Sequence, residues 1–234
     1  TVELNGGEID GDIVGGGADD VIVGGDVALR RGSVDGLDQF DVDSGRVLLG
    51  TQTRGADGEG LAVTNVDSMS VTAGAVYLDD DTTVDLVNDY TQGGEGAAEF
   101  FLTTDTTTHG QINAGGNANL DGDLIAVVDG ADFASVGGDT FTYQDIITGL
   151  ISGTFTNVST TSLFFEADAV YGVGFVDLEL LRQGFADALI LPGLTQNQEA
   201  VGGALETIYD GGVYGPDFED LFNHLLGLPI GSEE

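Results

Sequence analysis

Up to about residue 190 the chain is a succession of short runs in which apolar and polar residues alternate, each bounded by Gly, Asp or Asn. Alternation sends one set of side chains into a core and the other into water, so the runs are predicted strands. Sliding the sequence on itself by 29 lays VDGLDQFDVDSGRVLLG (34–50) over VTNVDSMSVTAGAVYLD (63–79). Leu37 then meets Val66, Asp38 meets Asp67, Phe40 meets Met69 and Val42 meets Val71. Further on, Gly45 meets Gly74, Val47 meets Val76 and Leu49 meets Leu78. Each unit reads strand, Gly turn, strand. Such a unit cannot bury its apolar face alone, but it can when stacked on its neighbour. The expectation is an all-β chain wound as a parallel β-helix, a solenoid, rather than a β-sandwich. Residues 1–30 read as earlier coils and 110–128 as a later one.

The run 162–182 has another character. Val176, Leu178 and Leu180 alternate with Asp177 and Glu179, while Tyr171, Val173 and Phe175 alternate with glycines on the opposite parity. A bulge or turn near Phe175 and an antiparallel β cap over the end of the solenoid follow. Beyond residue 190, where all three prolines (Pro192, Pro216 and Pro229) lie, the period becomes helical. Thr195 and Gln198 form a capping box, Ala200, Val201, Ala204, Leu205, Ile208 and Tyr209 a stripe, and Gly211-Gly212 a stop. A second helix starts at Pro216, carries Phe218, Leu221, Phe222, Leu225 and Leu226 on one face, and closes at Gly227. The predicted architecture is therefore a solenoid with a β cap and two short C-terminal α-helices.

Charge narrows the function. The 234 residues carry 41 Asp plus Glu against five Arg and no Lys, a net charge of −36. Nothing can replace the counterions of a phosphate backbone, so nucleic acid is excluded as a partner, and docking on anionic lipid is disfavoured. With 41% apolar residues and a mean hydropathy of +0.10 the chain still buries enough surface to fold. The strong self-repulsion keeps an unfolded chain soluble, and it equally suits salty surroundings. No cysteine is present, and no run of 18 apolar residues. The N-terminus shows no signal peptide, and the chain is expected to be a fragment of something longer.

Candidate chemistry is sparse. GGGADDVIV (15–23) approaches a calcium-binding nonapeptide with Asp19 and Asp20 as weak Ca²⁺ candidates, but Ala18 replaces a turn glycine and no second copy follows. Asp79-Asp80-Asp81 and the Asp121/Asp123 pair are turn carboxylates able to gather a loose ion. A β-helix polysaccharide lyase needs a base. Arg30, Arg31, Arg46, Arg54 and Arg182 are available without a matching carboxylate array. His109 and His224 lack a nucleophile elbow and read as structural or exposed. Tyr90, Phe100, Phe101, Tyr143, Phe155, Phe164 and Phe165 read as packing before a carbohydrate platform. The expectation is no enzyme, no cofactor, and calcium only as a weak alternative.

Several segments, in order, resemble the C-terminal part of a Gram-negative autotransporter passenger of the pertactin-like kind. They are NDYTQGGEGAAEFFL (88–102), GNANLDGDL (116–124), FTYQDIITGLISGTFTNV (141–158), VDLELLR (176–182) and LTQNQEAVGGAL (194–205). The resemblance implies a right-handed parallel β-helix ending in an autochaperone region that folds first outside the cell. It implies a linker helix and an outer-membrane β-barrel as the chain's partner, and a location at the cell surface or beyond. Residues 1–94 would be passenger coils, 95–190 the autochaperone and cap, and 191–234 a helical segment before an absent barrel. The chain departs from the pattern by stopping at Glu234. The folding nucleus is placed on Phe141, Tyr143, Phe155, Val176, Leu178 and Leu180. A calcium-dependent secreted β-roll or adhesin is the contrasting expectation.

Overall fold

The structure, a computed structural model, describes residues 1–16, 18–50, 61–128, 133, 140–186, 195–212 and 214–229. The first coil holds β1 (Val2–Leu4), β2 (Gly7–Asp10) and β3 (Ile13–Val14), and the second β4 (Asp20–Val23), β5 (Val27–Arg31) and β6 (Ser33–Asp35). The third holds β7 (Gln39–Val42), β8 (Arg46–Leu49) and β9 (Ala62–Val66), and the fourth β10 (Ser68–Val71), β11 (Ala75–Leu78) and β12 (Thr83–Leu86). Longer strands follow: β13 (Tyr90–Gln92), β14 (Ala97–Leu102), β15 (Gln111–Leu120), β16 (Asp123–Val128), β17 (Thr140–Gly153) and β18 (Asn157–Thr160).

Every third strand pairs in parallel up to β12 with β15, and from β13 to β18 every second one does, so the chain is a parallel β-helix. One face is the ladder β18-β16-β14-β11-β8-β5-β2. A second is β1-β4-β7-β10-β13-β15 and a third β15-β12-β9-β6-β3, joined because β15 bends at Gly115-Gly116 and serves both. Inward positions stack into continuous columns. Val21, Phe40, Met69, Tyr90 and Ala118 form one, and Val27, Val47, Val76, Ala98 and Leu124 another. All ten are buried, each sealed by the rung above and below at about 4.8 Å.

The 29-residue repeat is real but local. Phe40 pairs with Met69 and Val47 with Val76, as the sequence comparison places them. Other early coils take 19 to 22 residues, as in Val21↔Phe40, Val27↔Val47, Met69↔Tyr90 and Ala75↔Ala97, and the later ones 26 to 35, as in Ala97↔Asp123 and Ile112↔Ile147. The third coil alone includes residues 51–60, which lie outside the described residues and lengthen that step.

Parallel stacking brings like residues onto one another, a hazard for a chain of this charge. Among the described parallel pairs no carboxylate stands on a carboxylate. Asp41 lies between Ile22 and Ser70, Asp35 on Thr64, Asp85 on Asn113, Glu99 on Ile125, and Asp123 on Asn157. Neighbours often donate to the acid. Thr64 Oγ1 is 3.1 Å and Asn113 Nδ2 2.9 Å from the carboxylates below them. Interleaving keeps the surface acidic while removing the closest repulsions.

The far end of the column is closed by an antiparallel hairpin of β19 (Phe165–Gly172) and β20 (Phe175–Arg182), with the turn at Val173-Gly174. β20 also pairs antiparallel with β17. Through it the interior column Ile13–Val34–Val63–Val84–Ile112–Ile147 ends on Val176. Two helices follow, α1 (Gln196–Asp210) and α2 (Pro216–Leu226). α1 begins on the expected capping box, the Thr195 N–H donating to Gln198 Oε1 at 2.9 Å. Residues 94–95 lie in the turn between β13 and β14, and the expected boundary at 190 lies outside the described residues.

Candidate functional site

Chemistry-bearing side chains gather in three places: an acidic corner, a buried polar pin inside the column, and the sealed end. At the corner after β11, Asp79, Asp80 and Asp81 bring their carboxylate oxygens within 4.8 Å of one another. Asp79 and Asp80 are buried, and the Asp80 N–H donates to Asp79 Oδ1 at 3.1 Å. Burial, with the neighbouring carboxylates adding to it, pushes the Asp79 carboxyl up to about 7. Three oxygens are half of the six or more that calcium takes.

Asp19 and Asp20 are spent locally. Asp19 Oδ2 accepts the Gly16 N–H at 2.8 Å and Asp20 Oδ2 the Thr1 hydroxyl at 3.1 Å. Asp121 accepts from Thr156 Oγ1 at 2.6 Å and from the Gly122 N–H at 2.8 Å, which hold its carboxyl below the usual range. Asp123 sits outward on β16.

The second place escaped sequence reasoning. Gln92 lies on an inward position of β13, beneath the aliphatic column, with its side chain buried. The Tyr90 hydroxyl donates to Gln92 Oε1 at 2.8 Å, and Gln92 Nε2 donates to the carbonyls of Gly96 at 3.0 Å and Asp123 at 2.9 Å. Burial pushes the Tyr90 phenol up. One amide thus ties two rungs and a turn together. The visible signal is a Gln in an alternating run where an apolar residue is due.

Arginines do more than dilute the field. Arg46 binds Glu99, two rungs away, through Nε at 2.8 Å and lies 4.6 Å from the Tyr77 ring centroid. Arg30 pairs with Glu8 at 2.9 Å on the surface, Arg31 is exposed at the end of β5, and Arg54 lies outside the described residues. Arg182 is buried at the end of β20 and pairs with Glu206 at 2.6 Å and Asp210 at 3.4 Å on α1. His109 Nε2 is 2.7 Å from the Gln144 carbonyl and its ring stands edge-on to Tyr143, while His224 lies 3.3 Å from the Asp220 carbonyl within α2. Among the described residues neither histidine faces a serine nucleophile.

At the sealed end Phe141, Tyr143, Val176, Leu178 and Leu180 converge on the β17–β20 ladder, all buried. The Tyr143 hydroxyl donates to the Thr103 carbonyl at 2.6 Å. Phe155 is buried beside them and its N–H donates to the Tyr171 hydroxyl at 2.9 Å. Of the rings named as a platform, Tyr90, Phe100, Tyr143, Phe155, Phe164 and Phe165 are buried and Phe101 half-buried, an arrangement that packs and presents no flat sugar-binding face. No protein-family model, curated protein or solved structure matches this chain.

Proposed function

We propose that this chain is a non-enzymatic, extracellular β-helical stalk from an autotransporter passenger. Its residues 95–182 nucleate folding as the polypeptide emerges across the Gram-negative outer membrane. The observation that supports this most is the way the interior column runs into the cap, Val176 sitting on Ile147 through an antiparallel strand. An antiparallel hairpin closes a short loop, whereas each parallel rung must first close 19 to 35 residues. The cap is thus the part that forms early, and its finished edge is a template for the next coil. Absence of cysteine leaves the chain threadable, and its charge keeps it soluble in transit. No helix in the described residues is long and apolar enough to cross a membrane. In this reading the partner is an outer-membrane β-barrel supplied by the same polypeptide.

The test is to place the chain upstream of such a barrel and measure its display on cells. Leu178→Asp and Phe155→Ala are expected to abolish display with the barrel still inserted, and normal display of both variants refutes the nucleus. The Asp79–Asp81 group favours a second reading, a calcium-dependent β-roll. Thermal unfolding in millimolar calcium and in chelator separates the two: equal curves support the stalk, a calcium-driven folding transition the β-roll.

A further inference from the structure

We infer that α1 and α2 are the lock of the cap: they clasp the open end of the β19–β20 hairpin and unfold with it as one unit, with Arg182 as the positioning residue. The hairpin turns at Val173-Gly174, and its open end is the Phe165↔Arg182 pair. Each helix grips one side of that opening. On the β19 side the Leu163 N–H donates to the Leu228 carbonyl at 2.8 Å, and the Ser162 hydroxyl donates to the Leu226 carbonyl at the end of α2. On the β20 side Arg182 continues the inward parity of Val176, Leu178 and Leu180, yet meets α1 in place of an aliphatic neighbour. Its guanidinium binds Glu206 and Asp210 and lies 4.5 Å from the Tyr209 ring centroid, with the side chain only 3% exposed. Glu206 Oε2 also accepts the Phe185 N–H at 2.8 Å, so one carboxylate holds both the cation and the chain leaving β20.

Close approach of α1 needs Gly202. A Cβ there would stand 2.7 Å from the Phe185 carbonyl oxygen and 2.9 Å from Ala186 Cα. The seam is filled by Phe185, Tyr209 and Phe222, with ring centroids 5.2 to 5.6 Å apart. The Tyr209 hydroxyl donates to the Phe133 carbonyl at 2.9 Å, and the Phe133 ring packs on Phe141 of β17. Parting β19 from β20 at this end therefore opens the aromatic seam that α2 makes with Phe185 and α1, and lifting α1 from β20 breaks the buried charge cluster. Lifting α1 away strips Arg182 of both carboxylates and of the Tyr209 ring in one step. Arg fits because its planar fork serves two carboxylates while its face stacks on a ring.

This coupling holds wherever the chain works, and its test involves no secretion. Native-state hydrogen exchange on the whole chain is expected to give the amides of Val176–Leu180 and those of α1 and α2 equal protection within about threefold. Arg182→Met raises exchange in both sets together by about tenfold or more, while β7, β8, β10 and β11 keep their protection. Glu206→Gln acts in the same direction more weakly, and Arg182→Lys, which keeps the charge and loses the fork, falls between. Gly202→Val lifts α1 without touching Arg182 and reproduces the joint loss. The inference is overturned if helix amides of the unmodified chain exchange a hundredfold faster than those of β20. It is equally overturned if Arg182→Met frees the helices while β20 stays protected. Should Arg182→Met fail to fold, the unmodified chain and Gly202→Val decide.

Discussion

Replacing Gln92 by Leu removes the buried amide at nearly constant volume, so its cost measures the polar pin and little else. The change leaves the Tyr90 hydroxyl, fully enclosed in the column, without its acceptor, and takes the Nε2 donor from the Asp123 carbonyl. An orphaned buried hydroxyl costs about 1–3 kcal/mol, and each lost neutral hydrogen bond about 1 kcal/mol. Burying a Leu in place of an amide returns about 1 kcal/mol, leaving a net loss of about 2–3 kcal/mol. The Gly96 carbonyl adds little, since it also accepts the Asp123 N–H at 2.9 Å. With a urea m-value of about 2.5 kcal/mol/M, the midpoint falls by about 1 M. Tyr90→Phe alone is expected to cost about 1 kcal/mol, by leaving Gln92 Oε1 without a donor. The double variant removes both partners and should be at least 1 kcal/mol less damaging than the sum of the two. Equilibrium urea unfolding of the four chains gives the cycle. A Gln92→Leu midpoint within about 0.2 M of the parent, or strict additivity, would refute the reasoning.

Asp79 carries a pH dependence of definite sign. Its folded carboxyl titrates near 7 and its unfolded one near 3.8, so the folded state holds the proton more tightly. Stability is then greatest below about pH 4 and falls as pH rises towards 7. The side chain is buried but its neighbour Asp81 is exposed, and screening there leaves about 2 kcal/mol of this loss. Asp79→Asn should abolish the slope and be the more stable chain at pH 8, with thermal melts at pH 5 and pH 8 as the check. Ser70→Asp would set a carboxylate directly above Asp41, which at about 5 Å costs about 1 kcal/mol in dilute buffer and little at 1 M salt. An equal loss at both salt concentrations would argue for a packing effect and against interleaved charge.

Much of this molecule is written in local pattern. Thr195 with Gln198, Pro216 with Gly227, and the alternation from Val176 to Leu180 each state their element, because caps and parity act over a few residues. The pairing of Phe40 with Met69 is legible because both coils keep the same strand–Gly–strand spacing. The variation in coil length is obscured since residues 51–60 fall between the two units compared and set their offset. Gln92 and Arg182 break the apolar rule at inward positions, and their partners come from 4 to 31 residues away or from another element altogether. Such partners have no periodic signature. In the sequence the arginines show no matching carboxylate array. For Arg46 and Arg182 the specific ring and carboxylate contacts are what matter.

The strands of each rung lie across the long axis, so their hydrogen bonds run along it. Tension applied end to end loads these bonds one rung after another, like opening a zip, and never all at once. Each rung that lets go frees 19 to 35 residues, about 70–120 Å of contour. Such a rod lengthens in steps under a modest pull, and gives way last at the end where antiparallel strands and helices are laced together.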